Sequence, residues 1–115
     1  MSCGGERSRV PLLVRAVEAE TDVVVDLKWQ VHFHVEACSA TAPQRVAICL
    51  RNAREGREGR IALVDDTPSG TPAPVFAWRS EPGRALYAPG GGAFASAAGL
   101  YSYFATADAI FVHAV

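Results

Sequence analysis

The chain has 115 residues, half of them hydrophobic and a fifth charged, with a formal net charge of -1. That is one domain's worth of chain with enough apolar side chain to build a core, which excludes a disordered polypeptide. It also excludes a strong global field for nucleic acid or an anionic membrane.

In chain order, "VPLLVRAV" (10–17) reads as a strand or as the first turns of a helix, with Pro11 compatible with an edge strand or a helix N1 and the strand preferred. From Val23 to Ala37 apolar and polar residues alternate strictly, the period-two signature of one half-buried strand. Val23, Val25, Leu27, Trp29, Val31, Phe33, Val35 and Ala37 would form its apolar face. Asp26, Lys28, Gln30, His32, His34 and Glu36 would form its polar face. Such a strand would be about 50 Å long, against a radius of gyration of about 13 Å for a domain of this size. It must bend, carry a bulge or project.

"RVAICL" (45–50) and "RIALV" (60–64) read as strands joined by a polar hairpin loop, "RNAREGREG". "VFAWRS" and "ALYA" flank "EPGR", where Pro82 and Gly83 suit the centre of a type II turn. "APGGGAFASAAG" (88–99) is irregular, with room for one helical turn. "LYSYFAT" (100–106) and "AIFVHAV" (109–115) flank a short turn at Ala107–Asp108.

Seven to eight strands without a convincing helix predict an all-β fold, a single antiparallel β-sandwich, a jelly-roll-like domain or a small barrel. No repeat at solenoid period is legible. The expected organisation is a flexible N-terminal segment over 1–9 followed by one β domain over 10–115. Three cysteines, Cys3, Cys38 and Cys49, do not make a disulfide framework. The N-terminus lacks the apolar region of a secretory signal, and no apolar run is long enough to span a membrane. The expected setting is therefore the cytoplasm, or a virion or particle assembled there.

His32 and His34 stand two apart on one strand face, about 7 Å apart, close enough for both imidazoles to converge on one tetrahedral ion. His113 is the candidate third nitrogen, and Glu36 continues the row. "QVHFH" (30–34) resembles the His-x-His strand of α-type carbonic anhydrases. In that family a third histidine follows on a neighbouring strand, whereas here no histidine occurs between His34 and His113. The resemblance ends with those residues and carries no activity over. The plainer reading of the row is the solvated face of a half-buried strand, with an intersubunit or ligand-contact surface as the alternative, and the two imidazoles make it a candidate pH-sensitive patch.

The arginine-rich loop 51–60 contains neutralising glutamates and no aromatics, which suits a solvated tip better than a phosphate grip. "PGGGAF" lacks the lysine and hydroxyl of a phosphate-binding loop. Asp65 and Asp66 read as the start of the turn before Pro68. Cys49 reads as an inert core thiol and Cys38, at a strand end, as the more reactive one.

After Arg84 the last 31 residues hold one charged side chain, Asp108. A small sandwich has too little interior for so much apolar surface, and exposed aromatic-rich surface marks interfaces. Leu100, Tyr101, Tyr103, Phe104, Ile110 and Phe111 are the interface candidates.

The leading expectation is a non-enzymatic structural or interaction protein without a cofactor, a homo-oligomer or a component of a larger assembly. The second is a carbohydrate- or small-ligand-binding module with Trp29, Trp78, Tyr87, Tyr101 and Tyr103 as platforms. The third is a metal-dependent enzyme using His32, His34 and His113.

Overall fold

The computed structural model describes residues 10–40 and 43–115. Segment 1–9, expected to be flexible, lies outside the described residues. Nine strands are formed: β1 (Leu12–Ala16), β2 (Glu20–Asp26), β3 (His32–Ala37), β4 (Arg45–Arg51), β5 (Glu58–Asp65), β6 (Val75–Ser80), β7 (Ala85–Tyr87), β8 (Gly99–Ala105) and β9 (Ala109–Ala114). The all-β expectation is correct.

The antiparallel sandwich, jelly-roll or barrel expectation is not. The chain winds as a β-solenoid of about four turns. One sheet has the order β1-β3-β5-β8-β9-β7 and the other β2-β4-β6. Each of the first three turns places one strand in each sheet, so β1, β3 and β5 run parallel, as do β2, β4 and β6. The predicted hairpin between β4 and β5 is instead a corner between sheets. Asn52 turns the chain there in the left-handed region (φ 58°), a conformation asparagine tolerates.

The long strand predicted from Val23 to Ala37 is broken between Asp26 and His32. Burial alternates in phase on both sides of that corner: Val23, Val25 and Leu27 are buried, then Phe33, Val35 and Ala37. Trp29, expected on the apolar face, sits on the outside of the bend and is 72% exposed, with Lys28 Nζ 5.0 Å from its ring centre.

Apolar residues of successive turns lie above one another. Leu12, Phe33 and Ile61 make one stack, and Val14, Val35 and Leu63 the next. Val23, Ile48 and Trp78 face them from the other sheet. Each fully buried Leu, Ile or Phe in such a stack stabilises the fold by about 1.5–3 kcal/mol. Gln44 joins two corners from inside: its Nε2 donates to the carbonyls of Ala16 and Glu18, both at 2.9 Å, and its Oε1 accepts from Ser39 N–H at 3.0 Å.

The third turn ends at Glu81-Pro82-Gly83-Arg84, where Arg84 N–H donates to the Glu81 carbonyl and Gly83 has φ 87°, as the sequence predicts for this turn. The chain then re-enters the large sheet as β7, parallel to β9. The antiparallel hairpin β8–β9 fills the space between β5 and β7. One 3-10 turn, Pro89–Gly92, and the segment after it close this end. Ser96 forms a bridge to Phe76 on the edge of β6, and its Oγ accepts a hydrogen bond from Trp78 Nε1 at 2.9 Å.

Candidate functional site

The outer face of the six-stranded sheet carries two adjacent rows set by strand register. In the first, His32 of β3, Arg60 of β5, Ser102 of β8 and His113 of β9 lie side by side. In the second, Glu58, Phe104, Phe111 and Tyr87 do the same across β5, β8, β9 and β7. Where the rows meet there is an open groove of about 540 Å³, bounded by His32, Glu58, Arg60, Ser102, Phe104 and His113.

Within the polar row, His32 Nδ1 accepts from the Arg60 backbone N–H at 3.2 Å, which leaves Nε2 as the protonated nitrogen of the neutral ring. Ser102 Oγ and His113 Nε2 lie 2.8 Å apart. That spacing is the one a hydroxyl nucleophile and its base require. The β8 amides around the pair belong to sheet ladders with β5 and β9 and are not free to serve an oxyanion.

His32 and His34 do stand together on β3, as read from the sequence. His113 lies three strands from β3, roughly 14 Å across the sheet at the ordinary strand spacing. Metal-bound nitrogens sit only about 2 Å from a shared ion, so the three imidazoles do not converge. Among the described residues no group of three or more His, Cys, Asp or Glu side chains is placed to hold a metal. His34 Nε2 lies 3.3 Å from Glu36 Oε2, Glu36 Oε1 3.3 Å from Arg15 Nε, and Arg15 reaches Asp66 at 3.7 Å. Arg15 on β1 thus bridges Glu36 on β3 and Asp66 just beyond β5.

The six C-terminal interface candidates divide by face. Leu100, Phe104 and Phe111 point outward and are exposed. Tyr101, Tyr103 and Ile110 point inward and belong to the core. Tyr101 packs edge-on against Trp78 at 5.2 Å and donates to the Ala97 carbonyl, while Tyr103 donates to the Val31 carbonyl. Those two tyrosines and Trp78 are therefore not ligand platforms, whereas Tyr87 is exposed and stacks on Phe111 at 5.1 Å with rings 12° from parallel. Gly59 must lack a side chain, since a Cβ there would collide with the Val31 carbonyl that Tyr103 bonds.

Sequence reasoning missed Tyr87 as the partner of Phe111, and Glu58 and Arg60 as walls of the groove. The alternation of "ALY" and "EGR" placed these side chains outward, but nothing in it named their neighbours. Cys49 is buried, and burial raises its thiol pKa. Cys38 is half-buried and its Sγ lies 3.2 Å from the Ala16 carbonyl. No protein-family model matches the chain, and comparison with curated proteins and with solved structures finds no match.

Proposed function

We propose that the protein is an interaction or structural subunit, a short β-solenoid that works by holding its broad sheet face against further copies of itself or a larger assembly. The supporting observation is the aromatic row Tyr87–Phe111–Phe104: three exposed rings held in strand register, two of them stacked. Leu100 adds to the same outer face. Aromatic side chains with little charge among them make the centre of a protein–protein contact, and Glu58 and Arg60 supply the polar rim. Catalysis is not part of this reading, because the Ser102–His113 pair stands on strands whose β8 amides are engaged in sheet ladders.

Light scattering on the wild type and on Phe111→Arg tests it. The wild type should exceed monomer mass with rising concentration, and the variant should lose that part of the association while keeping its strand-type circular dichroism. Identical masses for the two proteins at every concentration would sink the proposal.

One observation favours a second reading, a saccharide-binding face. Parallel exposed rings beside a polar groove offer a sugar both a stacking platform and hydrogen-bond partners in His32, Glu58 and Arg60. Titration with an oligosaccharide panel, read by shifts of the Tyr87 and Phe111 ring protons, separates it from the first.

A further inference from the structure

We infer that the first turn of the solenoid is a second, separate association surface, on which β1 pairs antiparallel with β1 of another copy about a two-fold axis through Val14. Among the described residues the exposed large apolar side chains fall in two places. Val10, Leu12, Leu13, Val17, Val24 and Trp29 belong to the first turn, and the others follow Ala85. The stretch from His32 to Ser80, which forms the second and third turns, has none. Leu12 is the telling case. It stacks on buried Phe33, so it points into the solenoid, yet it is 50% exposed, and among the described residues no further turn covers it.

Among the described residues no strand pairs with the other edge of β1. The Ala16 carbonyl accepts from Cys38 N–H, on the β3 side. Backbone groups alternate in direction along a strand, so Leu12, Val14 and Ala16 address β3, and Leu13 and Arg15 present their N–H and C=O to the free edge. An uncovered apolar edge strand is a template for another strand, and solenoids need their terminal turns covered. The residues that precede Val10, "MSCGGERSR", contain two glycines and three charges.

A second copy fits this edge in one register better than in others. With Val14 on the axis, Leu13 pairs with Arg15 of the second copy, and Arg15 with its Leu13, so the two Arg15 side chains do not face each other. Pro11 falls opposite Val17, at the end of the ladder, where its missing N–H costs least. The ladder alone is smaller than the roughly 1,000 Å² a stable contact buries, so Leu12, Leu13 and Val17 are covered with it. The dimer is therefore reversible. It uses the edge of the large sheet opposite to β7 and does not depend on the aromatic row.

Sedimentation velocity across a concentration series tests this. The wild type and Phe111→Arg should both form the β1 dimer. Leu13→Pro removes an edge donor without touching a β1–β3 bond, and Leu13→Arg places arginine opposite arginine twice. Each should weaken the dimer at least about tenfold, with the thermal unfolding midpoint as the check on folding. Leu13→Glu, facing Arg15 of the second copy, should hold the dimer within a few-fold. If Phe111→Arg is monomeric throughout, or if Leu13→Pro and Leu13→Arg associate as the wild type does, the inference is overturned. A Leu13→Glu dimer as weak as that of Leu13→Arg overturns the Val14 register.

Discussion

The two ends of this solenoid are built from similar apolar side chains and finished differently. At the C-terminal end Trp78 and Phe76 are buried, because the Pro89–Gly92 turn, the Ser96 bridge and the β8–β9 hairpin cover them. At the N-terminal end Leu12 occupies an equivalent interior position and stays half exposed. A stacked turn cannot bury its own apolar face, so burial is conferred by the neighbouring turn or by a cap. The difference between the ends is therefore one of cover, and it makes the same type of substitution costly at one end and mild at the other.

The largest effect is expected at the covered end. Trp78→Ala removes a side chain that is 1% exposed, its contact with Tyr101 and its bond to Ser96, and should cost about 3–5 kcal/mol in chemical denaturation. A loss below about 1 kcal/mol would mean that this end is not packed as described. Between the ends, Gln44→Ala removes three hydrogen bonds at once, although the Ala16 carbonyl keeps Cys38 N–H and the Glu18 carbonyl keeps the Thr21 hydroxyl. The expected cost is about 2–3 kcal/mol, since each of the three lost bonds contributes about 0.5–1.5 kcal/mol net. Gln44→Glu should be no better, because a carboxylate cannot donate to either carbonyl.

Most strands were legible in the sequence, and their partners were not. Alternation along "HFHVEA" or "RVAICLR" reports which side chains face inward, and that answer is the same in a sandwich and in a solenoid. What differs is whether the next strand folds back or crosses to the other sheet. The corner at Leu27–Val31, "LKWQV", contains neither glycine nor proline to mark it, so two strands read as one. The repeat escaped notice because its length drifts. Leu12 lies beside Phe33 and Phe33 beside Ile61, turns of 21 and 28 residues, while Glu20, Arg45 and Val75 give 25 and 30. The outward histidines were legible for the same reason as the strands. Their separation was not, because the strand order that sets His113 far from His34 is non-local. Counting charges in the last 31 residues predicted more exposed apolar surface than exists, since the solenoid interior takes Tyr101, Tyr103 and Ile110.

Smaller substitutions sharpen the contrast between ends. Ser96→Ala removes the acceptor of the Trp78 indole N–H in a buried setting and should cost about 1–2 kcal/mol. Leu12→Ala gives up burial that is only half complete in the single chain, about 1 kcal/mol. Measured at a concentration where the β1 dimer forms, the Leu12→Ala cost should rise, whereas the Ser96→Ala cost should not. Equal costs at both concentrations would leave the N-terminal end as plain surface.

The smallest expected effect is a pH dependence that also separates inter-turn from local interactions. Asp26, at the corner after β2, accepts from Asn52 Nδ2 at 3.0 Å and from Lys28 N–H at 2.9 Å. The Asn52 bond first, then the Lys28 amide, hold its carboxyl below the usual carboxylate range. Asp65 is lowered likewise by the Thr67 hydroxyl and then the Thr67 amide. A carboxyl whose folded pKa lies below its unfolded one binds its proton more weakly in the folded chain. Its stabilisation is thus fully present above about pH 4, the unfolded value, and is lost as pH falls through the lower folded value. Both groups are solvent-exposed, so each loss should stay under about 1 kcal/mol. The Asp65 contacts are confined to one turn of chain, whereas Asp26 ties the first solenoid turn to the second through Asn52, which in turn donates its backbone N–H to Glu81 Oε1 of the third at 2.9 Å. Asp26→Asn should therefore flatten the fall in unfolding midpoint between neutral and acid pH and loosen amide-exchange protection in β2. Asp65→Asn should flatten the fall without touching β2. Equal β2 protection in the two variants at neutral pH would show that the corner bonds do not hold the first turn to the rest.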